Sequence, residues 1–438
     1  MNIILLSGGS GKRLWPLSND VRSKQFLKLF RTETGEYESM VQRMFRGIRA
    51  VDAAASVTIA TSLPQVSALH NQLGTDIDVS VEPERRDTFP AIALAAAYLA
   101  DIKGVAPEEP VVVCPVDPYV TDGYFTALAE LSHLAADGRA NLCLLGMEPT
   151  YPSEKYGYIL PADGARVADV RAFREKPDKE TAQEYIAAGA LWNGGVFAFR
   201  LGYLLDIARR LLSYESYADL YARYAALPKI SFDYAVAERE ESIAVMRFSG
   251  EWRDLGTWNT LTEVMDAPTI GNVTTDDACE NLHVINELNI PVLCMGLRNA
   301  VVAVSPEGIL VTDKEQSSYI KPYVERFHQQ IMYAEKSWGS FRVLDASESG
   351  LTIKVTLHPG HAMNYHSHER RDEVWTVIRG TGRTVIDGAR RYVHPGDVIR
   401  LPAGCRHAVM ADAELEIIEV QYGKDISVHD KKKYPLPD

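Results

Sequence analysis

The sequence of 438 residues has few cysteines, no excess of basic charge and no long apolar run. Its five cysteines are scattered and never form a Cys-x-x-Cys pair, so they indicate thiols of a reducing compartment rather than a disulfide framework. The formal net charge of −13 argues against a nucleic-acid partner, because the phosphate backbone is bound by basic surfaces. It does not exclude a nucleotide substrate, which needs only a few local cations.

No apolar run is long enough to span a bilayer, and the opening segment MNIILLSGG lacks the basic residues that begin a signal peptide. We therefore expect a cytoplasmic protein with no membrane partner. No internal repeat or low-complexity segment is found either. The hydrophobic fraction of 46% is ordinary for a globular protein, and the length predicts two or three domains.

Short apolar runs alternate with longer periodic stretches in the first half of the chain. The runs NIILLSG, SVTIATS, DVSVEP, PVVVCPVD and NLCLLGM are typical of strands, whereas PAIALAAAYLADIKG and GYFTALAELSHLAADG are typical of helices. This alternation predicts an α/β fold with a mainly parallel sheet, in which ligands bind at the carboxyl ends of the strands. The glycine-rich stretch after the first run and Asp117 after the fourth both fall at that edge.

The pattern changes near residue 268, where helical periodicity gives way to short apolar steps separated by turns. We interpret 268–332 as a small β module with a connector. Residues 333–438 are almost entirely short strands and turns, which is typical of a β-barrel. With residues 1–267 as the α/β domain, the sequence predicts three domains.

The stretch LLSGGSGKRLWPLSNDVRSKQF is rich in glycine, which lets backbone N–H groups approach an anion closely. Gly8, Gly9 and Gly11 would supply these donors, and Arg13 and Lys24 would complete a cradle for a polyphosphate. The same spacing fits a tight strand-to-helix turn that carries two solvated cations. Spacing alone leaves both interpretations open.

Several motifs of the first domain occur in a characteristic order. They are GGSGKRLWPLS, SKQFL, EPERRDTFPAIALAA, PVDPYV, FREKP, LWNGGVFAF, SFDYAVAE and WRDLGTWNTL. Together they resemble the mannose-1-phosphate guanylyltransferase family, within the sugar-1-phosphate nucleotidyltransferases. The later segments are similar to the long bacterial members, which fuse the transferase to a cupin with phosphomannose isomerase activity. The resemblance implies a Rossmann-like mixed or parallel sheet, a β-helix-like module and a C-terminal cupin β-barrel.

The resemblance also implies a reaction, in which a sugar-1-phosphate oxygen attacks the α-phosphorus of a nucleoside triphosphate and pyrophosphate leaves. Such a transfer is catalysed mostly by positioning and by electrostatic stabilisation. Arg13 and Lys24 would lie beside the triphosphate, and Asp117 and Asp254 would hold Mg²⁺. An aspartate at a strand end often caps a turn instead, but the nearby glycine-rich stretch favours the metal interpretation.

Four further residues would bind the sugar phosphate. Lys176 would meet the phosphate group, and Asn193 and Gly194 would meet the sugar, because an amide offers both a donor and an acceptor to paired hydroxyls. Asp233 would either accept hydrogen bonds from sugar hydroxyls or cap a helix, and both interpretations stay open.

Glu82 and Arg86 would bind the nucleotide, since a carboxylate can accept two N–H groups from a guanine edge. The surrounding stretch EPERRDT departs from the family pattern. Arg85 stands where glycine is usual, and Asp87 stands where asparagine is usual. GTP is the expected nucleotidyl donor. Because of these departures, CTP, UTP and ATP stay open.

Two further departures are Ser23 and Pro118, where proline and histidine are common. Mannose-1-phosphate is the expected acceptor, and another hexose-1-phosphate stays open. A non-catalytic sensor of sugar nucleotides is disfavoured, because a sensor has no need of the complete charged set. Whether the chain forms a homodimer is also left open.

The barrel contains the two-part cupin pattern, Gly-x₅-His-x-His-x₄-Glu-x₆-Gly followed by Gly-x₅-Pro-x-Gly-x₂-His. His366 and His368 share one face of a strand, and Glu373 and His407 can close on the same point. Three imidazoles and one carboxylate suit a divalent transition metal such as Zn²⁺, Mn²⁺, Fe²⁺, Ni²⁺ or Co²⁺. Isomerase cupins of the fused family usually have two residues before the glutamate instead of four. An isomerase, an epimerase-like domain and a sugar binder therefore all stay open.

Overall fold

The computed structural model describes residues 1–9, 12–328, 330–423, 426 and 430–437. The strands of the α/β region are β1 (Asn2–Ser7), β2 (Lys28–Arg31), β3 (Tyr37–Ser39), β4 (Ser56–Ser62), β5 (Asp78–Glu82), β6 (Pro110–Pro115), β7 (Pro118–Val120), β8 (Leu142–Met147), β9 (Gly157–Pro161), β10 (Val167–Arg174), β11 (Leu191–Arg200), β12 (Ile243–Phe248) and β13 (Trp252–Asp254). Its helices are α1 (Met40–Val51), α2 (Val66–Leu73), α3 (Thr88–Asp101), α4 (Gly123–Ala136), α5 (Lys179–Ala187), α6 (Leu201–Leu212), α7 (Tyr217–Ala222) and α8 (Trp258–Thr262).

A nine-stranded sheet in the order β5-β4-β1-β6-β11-β8-β12-β10-β9 forms the centre of this region. Strands β5, β4, β1 and β6 run parallel, as the alternating runs predict for this half of the sheet. Strand β11 is antiparallel to both β6 and β8, so the sheet as a whole is mixed. The five apolar runs form β1, β4, β5, β6 and β8, and the two periodic stretches form α3 and α4.

Both faces of the sheet are buried under helices. Along β1, Ile4 packs into the core beneath α3 and α6, while Ile3 and Leu5 pack into the core beneath α1 and α4. This division follows from the alternation of side chains along a strand. A sheet covered on both faces is open to ligands only at its edges and strand ends, which places a site at the carboxyl ends of β1 and β6.

The β module is built from short strands that return in parallel. They are β14 (Thr269–Ile270), β15 (Val273–Thr275), β16 (His283–Asn286), β17 (Val292–Cys294), β18 (Ala300–Ser305) and β19 (Gly308–Asp313). Strand β14 pairs parallel with β16, β16 with β18 and β15 with β17, so successive strands stack as in a β-helix. The hairpin β18–β19 ends the stack, and α9 (Lys321–Val324) leads into the barrel.

The barrel consists of two sheets that enclose an apolar core. Its strands are β20 (Tyr333–Lys336), β21 (Gly339–Ala346), β22 (Gly350–Leu357), β23 (His366–Ser367), β24 (Arg371–Arg379), β25 (Gly382–Ile386), β26 (Ala389–Val393), β27 (Val398–Leu401), β28 (His407–Ala411), β29 (Leu415–Gly423) and β30 (Lys432–Lys433). One sheet has the order β20-β21-β22-β29-β24-β27 and the other β26-β25-β28-β23-β30. Trp375, Val409 and Ile417 lie in the core between the sheets. The predicted domain boundaries, after residues 267 and 332, stay predictions.

Among the described residues, no helix combines the length and the apolar character that a membrane crossing requires.

Candidate active site and metal centre

The glycine-rich loop follows β1 at the carboxyl edge of the sheet. Gly8 and Gly9 are exposed, and Gly9 has a φ of +106°, in the region that favours glycine. A Cβ at either position would find no described atom within 4 Å, so the space beside this part of the loop is open. Gly11 lies outside the described residues. The loop therefore presents backbone to an open space, as the polyphosphate interpretation requires.

Three side chains hold this loop through the carbonyl of Gly9. Ser23 Oγ donates to Gly9 O at 2.9 Å, Gln65 Nε2 at 3.0 Å and Arg85 Nη2 at 3.3 Å. Gln65 Nε2 also lies 2.6 Å from Ser23 Oγ. Serine in place of the family's proline thus supplies a hydroxyl that proline lacks. Sequence reasoning missed Gln65, because it follows β4 and lies far from the loop in sequence.

Lys24 lies between the two predicted metal-binding aspartates. Its Nζ is 2.7 Å from Asp117 Oδ2 and 3.6 Å from Asp254 Oδ1. Strands β7 and β13 pair antiparallel with Asp254 opposite Pro118, which brings the two carboxylates to one place. Burial lowers the pKa of Lys24, but the two carboxylates outweigh it, and the pKa is raised overall. Lys24 is therefore a firmly charged cation at this point.

The two carboxylates are accessible, with side chains 34% exposed at Asp117 and 40% exposed at Asp254. Carboxylate oxygens are the donors that Mg²⁺ prefers, and it commonly takes one or two of them together with phosphate oxygens and water. A pair of partly exposed aspartates beside an open glycine loop therefore fits a Mg²⁺ ion bound with a nucleotide.

Arg13 lies in the 3-10 helix Lys12–Leu14 and is exposed. Its neighbour Lys12 pairs with Asp20 at 3.4 Å, whereas within the described part of the chain no ion pair is found for Arg13. The guanidinium is therefore free to meet an incoming anion.

The predicted sugar-binding residues form a second polar group. Asn193 Nδ2 donates to Asp233 Oδ1 at 2.6 Å, and Asn193 Oδ1 accepts from the backbone of Gly195 at 3.0 Å. Lys176 pairs with Glu175. Burial, followed by the charge of Glu175, raises the pKa of Asp233 to about 6. The Asp233 carboxylate thus accepts from a side chain, and its proton affinity is unusually high for an aspartate.

Aromatic rings connect the two polar groups. The Tyr156 ring lies 5.0 Å from that of Trp192 and 5.5 Å from that of Trp252. Gly194 packs against this cluster, since a Cβ there would lie 3.4 Å from Trp252 and 2.7 Å from Met147. Trp252 is two residues from Asp254, so the rings bridge the sugar-binding residues and the aspartate pair. These rings were missed as site residues, although both tryptophans lie within the quoted motifs.

The predicted nucleotide-binding residues have partners of their own. Glu82 is buried and its Oε2 accepts from Tyr224 OH at 2.7 Å. Burial raises the pKa of Glu82 despite this hydrogen bond. Arg86 donates to Glu84 Oε2 at 2.8 Å and to the carbonyl of Ala225. Arg86 therefore contacts Glu84 and Ala225, whereas Arg85 contacts the glycine loop. Tyr224 was not anticipated.

Three histidines of the predicted cupin pattern meet inside the barrel. His366, His368 and His407 are buried, and their ligand atoms all lie within 4.8 Å of one another. His366 and His407 are paired across β23 and β28. Each Nδ1 donates to a backbone carbonyl, which leaves Nε2 as the atom that carries the lone pair a metal would use. The three acceptors are the carbonyls of Asn364, Asp430 and Cys405. In the structure, His368 Nε2 accepts from Arg371 Nη2 at 2.9 Å, so a metal at this position would replace that contact.

Burial favours the neutral form of two of these imidazoles, those of His366 and His368. It lowers the pKa of His366 to about 2 and that of His368 to about 4. Neutral imidazole is the form that binds a metal ion. Three buried nitrogen donors with oriented rings therefore fit a divalent transition metal.

Glu373 contacts two of the three histidines. Its Oε1 lies 3.2 Å from His368 Nε2, and its Oε2 lies 3.4 Å from His407 Nε2. Arg371 Nε donates to Oε1 at 3.0 Å, and Trp375 Nε1 donates to Oε2 at 3.2 Å. Burial raises the pKa of Glu373, but its interactions with His407, then His368 and Arg371, outweigh burial and lower the pKa to about 2. Glu373 is an ionised carboxylate beside the histidines, held by two residues that sequence reasoning did not assign.

Comparisons with known proteins agree with this arrangement. The family model described as nucleotidyl transferase matches residues 2–269, and the cupin domain model matches residues 353–421. Because the first match covers more than half of the chain, the chain belongs to the nucleotidyl transferase family. It is a nucleotidyltransferase with a cupin domain in its C-terminal part, which confirms both the predicted fold class and the predicted resemblance. Both kinds of domain generally use divalent metal ions.

The relatives align with this chain over nearly its full length. The mannose-1-phosphate guanylyltransferase ManC of Salmonella typhimurium is 30% identical, over 98% of this chain and 96% of that protein. The xanthan biosynthesis protein XanB of Xanthomonas campestris pv. campestris is 29% identical over the same shares. A crystal structure titled mannose-1-phosphate geranyltransferase, from Thermus thermophilus, matches with a TM-score of 0.61 and 29% identity. That match covers 74% of this chain and 98% of the other.

Proposed function

We propose that this protein transfers a guanylyl group from GTP to mannose-1-phosphate, producing GDP-mannose and pyrophosphate for polysaccharide synthesis. The observation that carries the proposal is the placement of Lys24 between Asp117 and Asp254, next to the open loop at Gly8 and Gly9. The names of the relatives support the choice of guanine and mannose, since several of them are mannose-1-phosphate guanylyltransferases. Others are named for xanthan and alginate biosynthesis.

In this reaction an oxygen of the sugar phosphate forms a bond to the α-phosphorus of GTP. The bond from that phosphorus to the oxygen bridging the β-phosphate breaks, and pyrophosphate leaves with the electron pair. Asp117 and Asp254 would hold Mg²⁺, which when bound neutralises charge on the phosphates. Lys24 and Arg13 stabilise the charge on the non-bridging and leaving oxygens, and the loop from Gly8 to Gly11 donates backbone N–H groups.

The remaining predicted residues have assigned places in the same proposal. Lys176 meets the phosphate of the sugar, and the Asn193–Asp233 pair, with Gly194 beside it, meets the sugar hydroxyls. Glu82 accepts from the guanine edge through the oxygen that Tyr224 does not use. Arg86 lines the nucleotide-binding site, and its guanidinium donates to Glu84 and to the carbonyl of Ala225.

The decisive experiment incubates the purified protein with each nucleoside triphosphate and a panel of sugar-1-phosphates, and measures pyrophosphate release. We expect the highest turnover with GTP and mannose-1-phosphate. Arg13→Ala should lower kcat about a hundredfold, the usual cost of removing a group that stabilises transition-state charge. Higher turnover with another nucleoside triphosphate or another sugar-1-phosphate would refute the named substrates. A wild-type kcat in Arg13→Ala would show that the loop is a simple turn.

We propose in addition that the cupin interconverts mannose-6-phosphate and fructose-6-phosphate with a bound transition metal. The three clustered imidazoles support a metal centre, and the ionised Glu373 beside them offers a further ligand or a proton acceptor. The test loads the protein with Zn²⁺, Mn²⁺, Fe²⁺, Ni²⁺ or Co²⁺ and measures fructose-6-phosphate formed from mannose-6-phosphate. If no metal supports isomerisation, the barrel is a sugar binder or has another activity.

A further inference from the structure

The segment that carries Lys24 is in contact with both of the other regions of the chain. Arg22, two residues before Lys24, has a side chain that is only 9% exposed. Its Nη1 lies 2.9 Å from Glu287 Oε2, just after β16 of the β module. Its Cζ lies 5.0 Å from the centre of the Tyr333 ring, at the start of β20 of the barrel. One side chain of the transferase region therefore binds the β module and the barrel together.

A second side chain fixes the backbone of the same turn. Asn19 Oδ1 accepts from the backbone N–H groups of Val21 at 2.9 Å and Arg22 at 2.6 Å. Asn19 Nδ2 donates to Glu307 Oε1 at 2.8 Å and to the carbonyl of Tyr333 at 3.0 Å. The side chain that fixes the turn before Lys24 is thus itself held by the β module and the barrel.

The buried guanidinium of Arg22 depends on its ion pair with Glu287. A buried cation needs a partner, because removing the partner leaves an uncompensated charge away from water. Burial lowers the pKa of Arg22, but Glu287 outweighs it and the pKa is raised, so the guanidinium is charged. Without Glu287 we expect the side chain to move toward water and to carry the backbone of the turn with it.

Any such movement reaches the active site within two residues. Ser23 Oγ donates to Gly9 O at 2.9 Å and supports the glycine loop. Lys24 Nζ lies 2.7 Å from Asp117. A displacement of a catalytic group by about 1 Å can lower a rate by up to about a hundredfold. The backbone position of Arg22 therefore matters to both groups.

We propose that Arg22 is a positioning residue for nucleotidyl transfer, held by Glu287 of the β module and Tyr333 of the barrel, so that these two regions set the geometry of the triphosphate cradle. The inference rests on the proposed transfer reaction at Lys24. It assigns a role to the β module and to the first barrel strand that is separate from any chemistry at the histidines.

The test uses the full-length protein and steady-state kinetics of pyrophosphate release. Glu287→Gln and Arg22→Gln should each lower kcat about tenfold, with a smaller change in KM for the nucleoside triphosphate. The matched control is Glu280→Gln, which removes an exposed ion pair with Arg298 in the same β module. Exposed pairs contribute little, so this variant should keep the wild-type kcat.

Two further arms separate positioning from general stability. The double variant Arg22→Gln with Glu287→Gln should resemble the single variants, because both changes act through one contact. Tyr333→Phe keeps the ring face and should keep kcat, whereas Tyr333→Leu should lower it. Arg22→Lys keeps the charge with milder disruption and should lie between wild type and Arg22→Gln.

The possible outcomes are distinct. If the variants unfold at a lower temperature than the wild type but have the wild-type kcat while folded, Arg22 is structural and the proposal is wrong. The proposal is also wrong if the effects of Arg22→Gln and Glu287→Gln on kcat are additive in the double variant. A wild type that releases no pyrophosphate with any nucleoside triphosphate refutes the transfer reaction itself, and with it the reaction that Arg22 would serve. An active wild type with unaffected variants refutes the positioning role alone.

Discussion

The ammonium group of Lys24 lies 2.7 Å from the carboxylate of Asp117, at the carboxyl edge of the sheet. The pairing of β7 with β13 adds Asp254 at 3.6 Å from the same ammonium. Two negative charges thus share one cation, next to a loop that is open to an anion. An incoming Mg²⁺–nucleotide would supply both the second cation that the carboxylates need and the phosphates that Lys24 can bind.

Removing either carboxylate should therefore stop catalysis without loss of the fold. Asp117→Asn and Asp254→Asn keep the shape of the side chain but not its charge. We expect kcat to fall about a hundredfold or more in each variant, as when other groups that stabilise the transition state are lost. Assays at increasing Mg²⁺ concentration measure this effect, and extra Mg²⁺ should restore activity only in part.

Asp163→Asn is a suitable control for that experiment, because Asp163 is exposed and, among the described residues, its side chain accepts a single turn hydrogen bond, from Ala165. It should keep the wild-type rate and the wild-type Mg²⁺ dependence. Normal turnover in either active-site variant would show that the residue concerned is a turn cap.

Sequence position identifies Asp117 and the glycine loop as candidates, because each comes after an apolar run that forms a strand. Asp117 lies two residues after Pro115, the last residue of β6, and Gly8 directly follows β1. The antiparallel part of the sheet was not predicted. The stretch LWNGGVFAF, which forms most of β11, was interpreted as a ligand-binding motif and not as a strand. Local patterns thus identified the parallel strands and their carboxyl ends.

Contacts between distant segments could not be predicted from local patterns. Gln65 reaches the glycine loop from the end of β4, and Tyr224 reaches Glu82 across 142 positions of the chain. Glutamine and tyrosine at such places carry no spacing that indicates a role. In the same way, the arginines between His368 and Glu373 appeared as an insertion, although Arg371 in fact donates to Glu373.

The choice of base should depend on Glu82. Glu82→Gln can still accept from Tyr224 but loses the charged acceptor proposed for the guanine edge. A hydrogen bond to a charged group contributes roughly 1.5–3 kcal/mol, so kcat/KM for GTP should fall about tenfold or more relative to ATP. Competition assays with both nucleotides measure the ratio. Glu84→Gln, at the exposed neighbour, should affect both nucleotides alike, and an equal loss for both with Glu82→Gln would make Glu82 structural.

The β module should lose stability in mild acid because of His283. Burial, with a smaller effect of the Lys314 charge, lowers the pKa of His283 to about 4 from its ordinary 6.5. Between these values the unfolded chain binds a proton that the folded chain does not, so stability is complete above pH 6.5 and falls as the pH decreases toward 4. The unfolding midpoint should fall by about 2–4 °C more in the wild type than in His283→Gln between pH 7 and pH 5. Parallel curves for the two proteins would contradict the assignment.

The two proposed metal centres should be separable by their chemistry and by mutation. The aspartate pair is a hard, open site that should exchange its ion freely, whereas the imidazole-rich centre should retain a transition metal through purification. His366→Ala combined with His368→Ala removes two of three nitrogen donors, so elemental analysis should detect loss of the tightly bound metal. Any isomerisation of mannose-6-phosphate should disappear as well.

Nucleotidyl transfer should survive in that double variant, because Lys24, Asp117 and Asp254 lie in a different region of the chain from the histidines. The natural comparison is Glu287→Gln, which leaves the histidines intact and should show the reverse pattern of retained metal and reduced transfer. The two variants together therefore distinguish the barrel's metal centre from its first strand, which contacts Arg22. A folded histidine variant that loses nucleotidyl transfer along with its metal would mean that the metal centre itself supports the transferase site.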